Sequence, residues 1–278
     1  MEVLFNELSL IGQFSDQDAF VKNGLLPFLR VLKELHGFST LLLKKSDVWQ
    51  ERVTPTNTLY SLLTSTKFRE CDEFIRLKSA IIDLTKEPFW DSDSRQFADS
   101  RYFFNGSDVH GSSLAEACER DKVVISFVDS SSSGDPLNVL RNEINIPLKN
   151  LTCLGTLTEL LWAEKRILFE AYMTARFSGG KLDFSRIDAK MGFSTVQPAE
   201  QDLFVDTFRK FEALTWKQIH TDQGLGYKEY HGIIDTSYRN IKTYKFRASR
   251  KFRCHGYREN DVFIVIGFET DHKLSDRG

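Results

Sequence analysis

The chain has 278 residues, 41% of them hydrophobic, and a formal net charge of only -2. That is enough apolar material for one large or two ordinary cores, which excludes a disordered or fibrous chain. No apolar run approaches the roughly 18–20 residues of a membrane span, and "MEVLFNELSL" carries an acid where a secretory signal has basic residues, so a cytoplasmic protein is expected.

In chain order, "FSDQDAFVKNGLLPFLRVLKELHGF" predicts a packing helix: Ser15 caps it, Asp16 and Asp18 favour its first turn, Pro27 kinks or divides it and Gly37 ends it. "TLYSLLTSTKFRECDEFIRLKSAIIDLTKEPFW" repeats the helical spacing. "HGSSLAEACERD" predicts a short helix leading into a strand at "KVVISFV", and the Ser130–Pro136 loop precedes a second β-like stretch, "LNVLRNEINIPL". Residues 1–150 are therefore expected to form one mixed α+β unit that restrains or directs the rest.

Next, "TLTELLWAEKRILFEAYMTARF" predicts one long helix, and the break at "SGG" with the polar run after it makes 151–197 a helical connector and linker. Pro198 opens a helix whose Leu203, Phe204, Phe208, Phe211 and Leu214 form an apolar stripe, and the helical period stops after Trp216. Cys71, Cys118, Cys153 and Cys254 lie singly with no CxxC spacing, so neither a zinc site nor a disulfide framework is expected. Asp91, Asp93 and Asp99 lack a strand-borne partner pattern, and no nucleotide-binding glycine motif is present. No metal and no cofactor are expected.

The charge is unevenly placed. From Arg239 to Arg258 there are eight Lys or Arg and no Asp or Glu; set against a net of -2, they leave -10 for the other 258 residues. Period-two alternation from Lys242 turns Tyr244, Phe246 and Ala248 inward and Lys245 and Arg247 outward. After a turn near Arg250, Phe252 and Cys254 face in while Lys251, Arg253 and His255 face out. "VFIVIGF" is apolar on both faces, as a covered central strand must be. Like charges across a sheet repel, so an anionic partner is expected, and five arginines mixed with Tyr244, Tyr257 and His255 suit phosphate and bases.

"GLGYKEYHG" with "YKFRASRKFRCHGYRENDVFIVIGFETDHKLSD" resembles the RelE/YoeB/HigB/ParE superfamily of bacterial toxins over residues 198–278, with helices packed on an antiparallel sheet. Arg247 and Arg253 have the separation of that family's strand arginines, and His272 falls where its terminal His does, although Lys273 and Leu274 stand where a Tyr is common. "LFNELSLIGQF" and "EPFWDSDSRQF" resemble uncharacterised bacterial proteins of phage defence.

The resemblance implies a metal-independent endoribonuclease acting on RNA, ribosome-bound in some members, and held by an antitoxin or a defence-complex protein. In that reading Arg247 and Arg253 hold the phosphate, Glu229 or Lys228 is the base, and His272 is the acid. Lys245, Lys251, Arg250, Tyr244, Tyr257 and His255 bind the nucleic acid. The alternatives are a non-catalytic nucleic-acid-binding or gyrase-poisoning module, or a protein-interaction component of a defence complex. Sequence does not choose among the three.

Overall fold

A computed structural model describes residues 1–64, 84, 86–128, 132–232, 234, 238 and 240–271. The segment between Thr64 and Leu84, with Cys71 and most of the second expected helix, lies outside the described residues, as do Arg239 and His272. The protein is an α+β protein of two compact units, residues 1–160 and 161–278. The segment 161–197, read as part of a connector, contributes Phe169, Tyr172, Phe177, Leu182 and Phe184 to the core of the second unit.

The first unit is built on a seven-stranded mixed sheet in the order β2-β1-β5-β7-β6-β3-β4. β1 (Glu2–Phe5), β2 (Leu41–Leu43), β5 (Val123–Ile125) and β7 (Ile144–Leu151) run parallel, and β6 (Leu137–Arg141), β3 (Tyr102–Phe104) and β4 (Ser107–Asp108) continue antiparallel. The β6–β7 hairpin turns at Asn142 and Glu143, both at positive φ, a backbone that matches the strand twist. Because β1 is covered on both sides it reads as a continuous apolar run. Leu4 joins a core with Trp90, Tyr102 and Leu114, while Phe5 meets Phe28 and Phe127.

The first helical segment departs from expectation at its start. Asp16 is the cap, accepting from the Ala19 N–H, and Ser15 only donates to Asp16. α1 (Gln17–Ala19) then widens into a π turn over Phe20–Leu25 before α2 (Leu26–Leu35). Pro27 has no N–H, and its ring crowds the carbonyl four residues back, so the regular helix is divided there, with the π turn on its N-terminal side. α3 (Leu59–Leu63) and α4 (Ser113–Cys118) are short helices capped by Thr58 and Ser112.

In the second unit a five-stranded sheet has the order β8-β12-β11-β10-β9, formed by β8 (Leu182–Asp183), β9 (Lys228–Tyr230), β10 (Thr243–Arg247), β11 (Arg253–Glu259) and β12 (Val262–Glu269). All pairs are antiparallel except β8 with β12. β12 is an interior strand buried from Phe263 to Glu269, as its two apolar faces require. The long helix expected from "TLTELLWAEKRILFEAYMTARF" is two helices, α5 (Leu154–Ala163) and α6 (Phe169–Phe177), because Lys165 takes a left-handed backbone and the Arg166 N–H closes back on Leu161.

α7 (Pro198–Ala213) lays Phe204, Phe208 and Phe211 on the sheet, whereas Leu203 of the expected stripe is exposed. Helix also resumes beyond Trp216 as α8 (Trp216–Thr221), with Thr215 capping the Gln218 N–H.

Candidate nucleic-acid interface

The β10–β11 hairpin brings together most of the predicted site residues. Lys245 lies opposite His255 and Arg247 opposite Arg253, while β9 sets Lys228 opposite Lys245. Lys228, Lys245 and His255 thus form one cross-strand row on the sheet face away from α7, and Arg247, Arg253 and Glu269 form the next. Tyr244 alternates to the α7 face, and Glu229, its partner on β9, goes with it.

Glu229 therefore does not meet Arg247 or Arg253. Its carboxylate pairs with Lys242 at 2.7 Å and lies 3.8 Å from His231 Nδ1, beside a cavity of about 370 Å³ that Tyr230, Tyr238 and Thr243 also line. Hydrogen bonding to Glu229 holds the Lys242 ammonium above its ordinary pKa.

The cationic face is largely enclosed, contrary to the outward placement expected. Lys245 is 3% exposed and His255 0%. The Tyr230 ring packs on both, 4.8 Å from Lys245 Nζ and 4.9 Å from the imidazole centroid. Farther along the face Tyr257, Ile264 and Ile266 make a small apolar cluster with Ile234 and Tyr238. Alternation assigns a residue to a face, and it carries no information about what covers that face.

Within the enclosure His255 Nε2 and Glu269 Oε2 are 2.8 Å apart, and His255 Nδ1 has no hydrogen-bond partner among the described residues. Tyr257 is buried against Tyr238, with desolvation raising its phenol pKa, so it offers no free ring.

Arg253 is also a correction. Its guanidinium is spent on its own turn: Nη1 donates to Ser249 O at 2.7 Å and Phe252 O at 2.9 Å, and Nη2 to Arg250 O at 3.1 Å. Burial, followed by the Arg247 charge, pulls its pKa below the usual arginine value. The residue clasps the hairpin end. Arg247, Arg250, Lys251 and Lys228 remain exposed, and Arg247, Lys251 and Lys228 have no carboxylate partner among the described residues.

Sequence reading missed Glu269, Trp216, His220, Tyr227 and Arg258. Glu269 ends an apolar strand, and only the β11–β12 register reveals that it meets His255. Trp216 and Arg258 meet across 42 positions of chain with no local signal.

Among the described residues no group of His, Cys, Asp and Glu is arranged to hold a metal ion, and no helix is long and apolar enough to cross a membrane. Comparison with known families, with characterised proteins and with solved structures finds no match to this chain.

Proposed function

We propose that the second unit binds single-stranded RNA along the exposed end of its β10–β11 hairpin. One observation carries the reading: Arg247 and Lys251, with Lys228 on the next strand, are exposed cations without carboxylate partners among the described residues, in a chain of negative net charge. Cations without carboxylate partners on one hairpin and its neighbouring strand keep their mutual repulsion until an anion arrives, and a phosphate backbone supplies anions at regular spacing. The clasp made by Arg253 fixes the turn that presents them.

The test is anisotropy of a labelled single-stranded RNA with the full chain across salt concentrations. Arg247→Ala with Lys251→Ala should weaken binding and reduce the salt slope by about 1.4, two phosphate contacts at roughly 0.7 each. Single-stranded DNA distinguishes a backbone reader from an RNA reader. Unchanged binding by the folded double variant would refute the proposal, and saturable binding to an acidic protein with none to RNA would favour a protein partner.

Cleavage is a second reading, supported by the placement of Arg247 beside Arg253 with Lys228 on the same face. In it, Arg247 holds the phosphate while the 2′-oxygen loses its proton to a base and bonds to phosphorus, and the 5′-oxygen leaves with a proton. Incubating intact RNA with the protein in EDTA tests it.

A further inference from the structure

The α7 face of the same sheet carries a second feature, at the end of the hairpin opposite its cationic turn. Trp216 of α8, Tyr227 before β9 and Tyr244 of β10 form a row of rings, with His220 against Tyr227 at 4.9 Å and Tyr227 stacked on Tyr244 at 5.1 Å and 11°. A cation stands at each end. Arg258 of β11 lies 3.9 Å from the Trp216 ring, and the Lys242 ammonium is 5.8 Å from the Tyr244 ring. Trp216 and Tyr244 are half-buried, whereas His220, Lys242 and Arg258 are exposed.

Two details separate this row from ordinary core packing. The first is how Arg258 is held: Nε donates to Asn260 O at 2.6 Å and Nη2 to Asp261 Oδ1 at 3.2 Å. Two of its in-plane donors are therefore occupied and one flat face lies on Trp216, while the side chain keeps 33% of its surface exposed. Those two bonds fix the guanidinium plane, and a planar base can stack on the flat face turned away from Trp216. The second is Tyr227, 7% exposed, whose buried hydroxyl has no hydrogen-bond partner among the described residues although Tyr244 and Arg258 both act on it electrostatically. A buried hydroxyl without a partner costs free energy that a ligand's polar edge would recover.

We infer that this row is a stacking site for the unpaired bases of a single-stranded nucleic acid, with the Arg258 face as its platform and the Tyr227 hydroxyl as its polar contact. The inference rests on the RNA-binding reading above and adds a subsite to it. The hairpin turn takes the backbone, whatever its bases, and the aromatic row distinguishes a strand with bases from one without.

The experiment compares the full chain's affinity for a short adenine-rich RNA and for an abasic strand of equal length and charge. Arg258→Lys keeps the charge and removes the flat face, and Tyr227→Phe removes only the hydroxyl; thermal melts confirm that each variant folds. Wild type should prefer the base-bearing strand by roughly 5- to 100-fold. Arg258→Lys should abolish most of that preference, and Tyr227→Phe part of it, with abasic binding and the salt slope unchanged. Equal affinity of wild type for the two strands, or a full preference retained by Arg258→Lys, would overturn the stacking site and leave the hairpin proposal standing. Absence of binding to either strand would sink both, and loss of both only in the hairpin variant would separate the two contributions.

Discussion

Replacing Arg253 by alanine measures whether this arginine holds the fold or a ligand. The substitution removes three hydrogen bonds from a charged donor to the carbonyls of Ser249, Arg250 and Phe252. Each such bond is worth roughly 1–2 kcal/mol net, less where water can reach the freed carbonyl. Relief of repulsion from Arg247, directly across the hairpin, works the other way: two charges on the order of 5 Å apart repel by about 1–3 kcal/mol at dielectric values of roughly 20–80, and guanidinium heads that splay apart fall at the low end.

The hydrogen bonds win, and Arg253→Ala should destabilise the hairpin by about 1–3 kcal/mol. Hydrogen exchange in residues 243–259 should then be roughly 5- to 150-fold faster, with residues 1–64 as internal reference. Arg253→Lys, whose single ammonium cannot span three carbonyls in different directions, should be intermediate. Unaltered protection together with lost RNA binding would refute the clasp and return Arg253 to phosphate holding.

Gly256→Ala should destabilise the second unit by about 1–3 kcal/mol or more, seen as a lower melting temperature, because its new methyl group would collide with the Ile264 carbonyl and come within 2.6 Å of the Phe263 ring. Alkylation at pH 8 should label exposed Cys153 and spare Cys118, whose thiol burial pushes up to about 12 and leaves roughly one thiolate in ten thousand, and Cys254, which burial likewise raises. Burial raises the pKa of Glu7 in the first unit, so the folded state holds its proton more tightly than the unfolded chain. Its contribution is therefore present below the ordinary carboxylate value and is lost as pH rises through the folded one. Glu7→Gln keeps an acceptor for the Ser113 N–H and should raise the melting temperature at pH 7.5, with the gain vanishing towards pH 4.

What sequence made legible was local pattern. The run "VFIVIGF" has no polar face, so it had to be an interior strand, and Pro198 with the phenylalanines after it had to open a helix lying on a core. Two classes of fact escaped. Helix breaks governed by one residue's backbone, as at Lys165, leave no trace in hydrophobic spacing. Enclosure escaped too: the same alternation that put Lys245 and His255 on the cationic face could not show Tyr230 packed against both, nor Glu269 arriving from another strand. At the site, the pairing of Arg247 with Arg253 was readable because six residues span one hairpin turn. The use of Arg253 by its own turn was not, since it depends on where three carbonyls point.

Whether the hairpin cuts what it holds is decided by reach. A general base must come within roughly 2.6–3.2 Å of the 2′-hydroxyl. His255 is wholly enclosed with Nε2 engaged by Glu269, and Glu229 sits on the other face in the grip of Lys242. Of the remaining candidates on the cationic face, Lys228 is exposed on an edge strand, its ammonium at the end of a long flexible side chain. Arg247 can hold a phosphate and cannot take a proton. In the reading proposed above, the hairpin offers cations for a phosphate without a positioned proton acceptor among the described residues, so binding is the activity proposed first. The full chain should accordingly retain RNA intact in EDTA at concentrations where it binds. Cleavage there, abolished by Arg247→Ala while the fold survives, would refute this ordering and favour the cleavage reading.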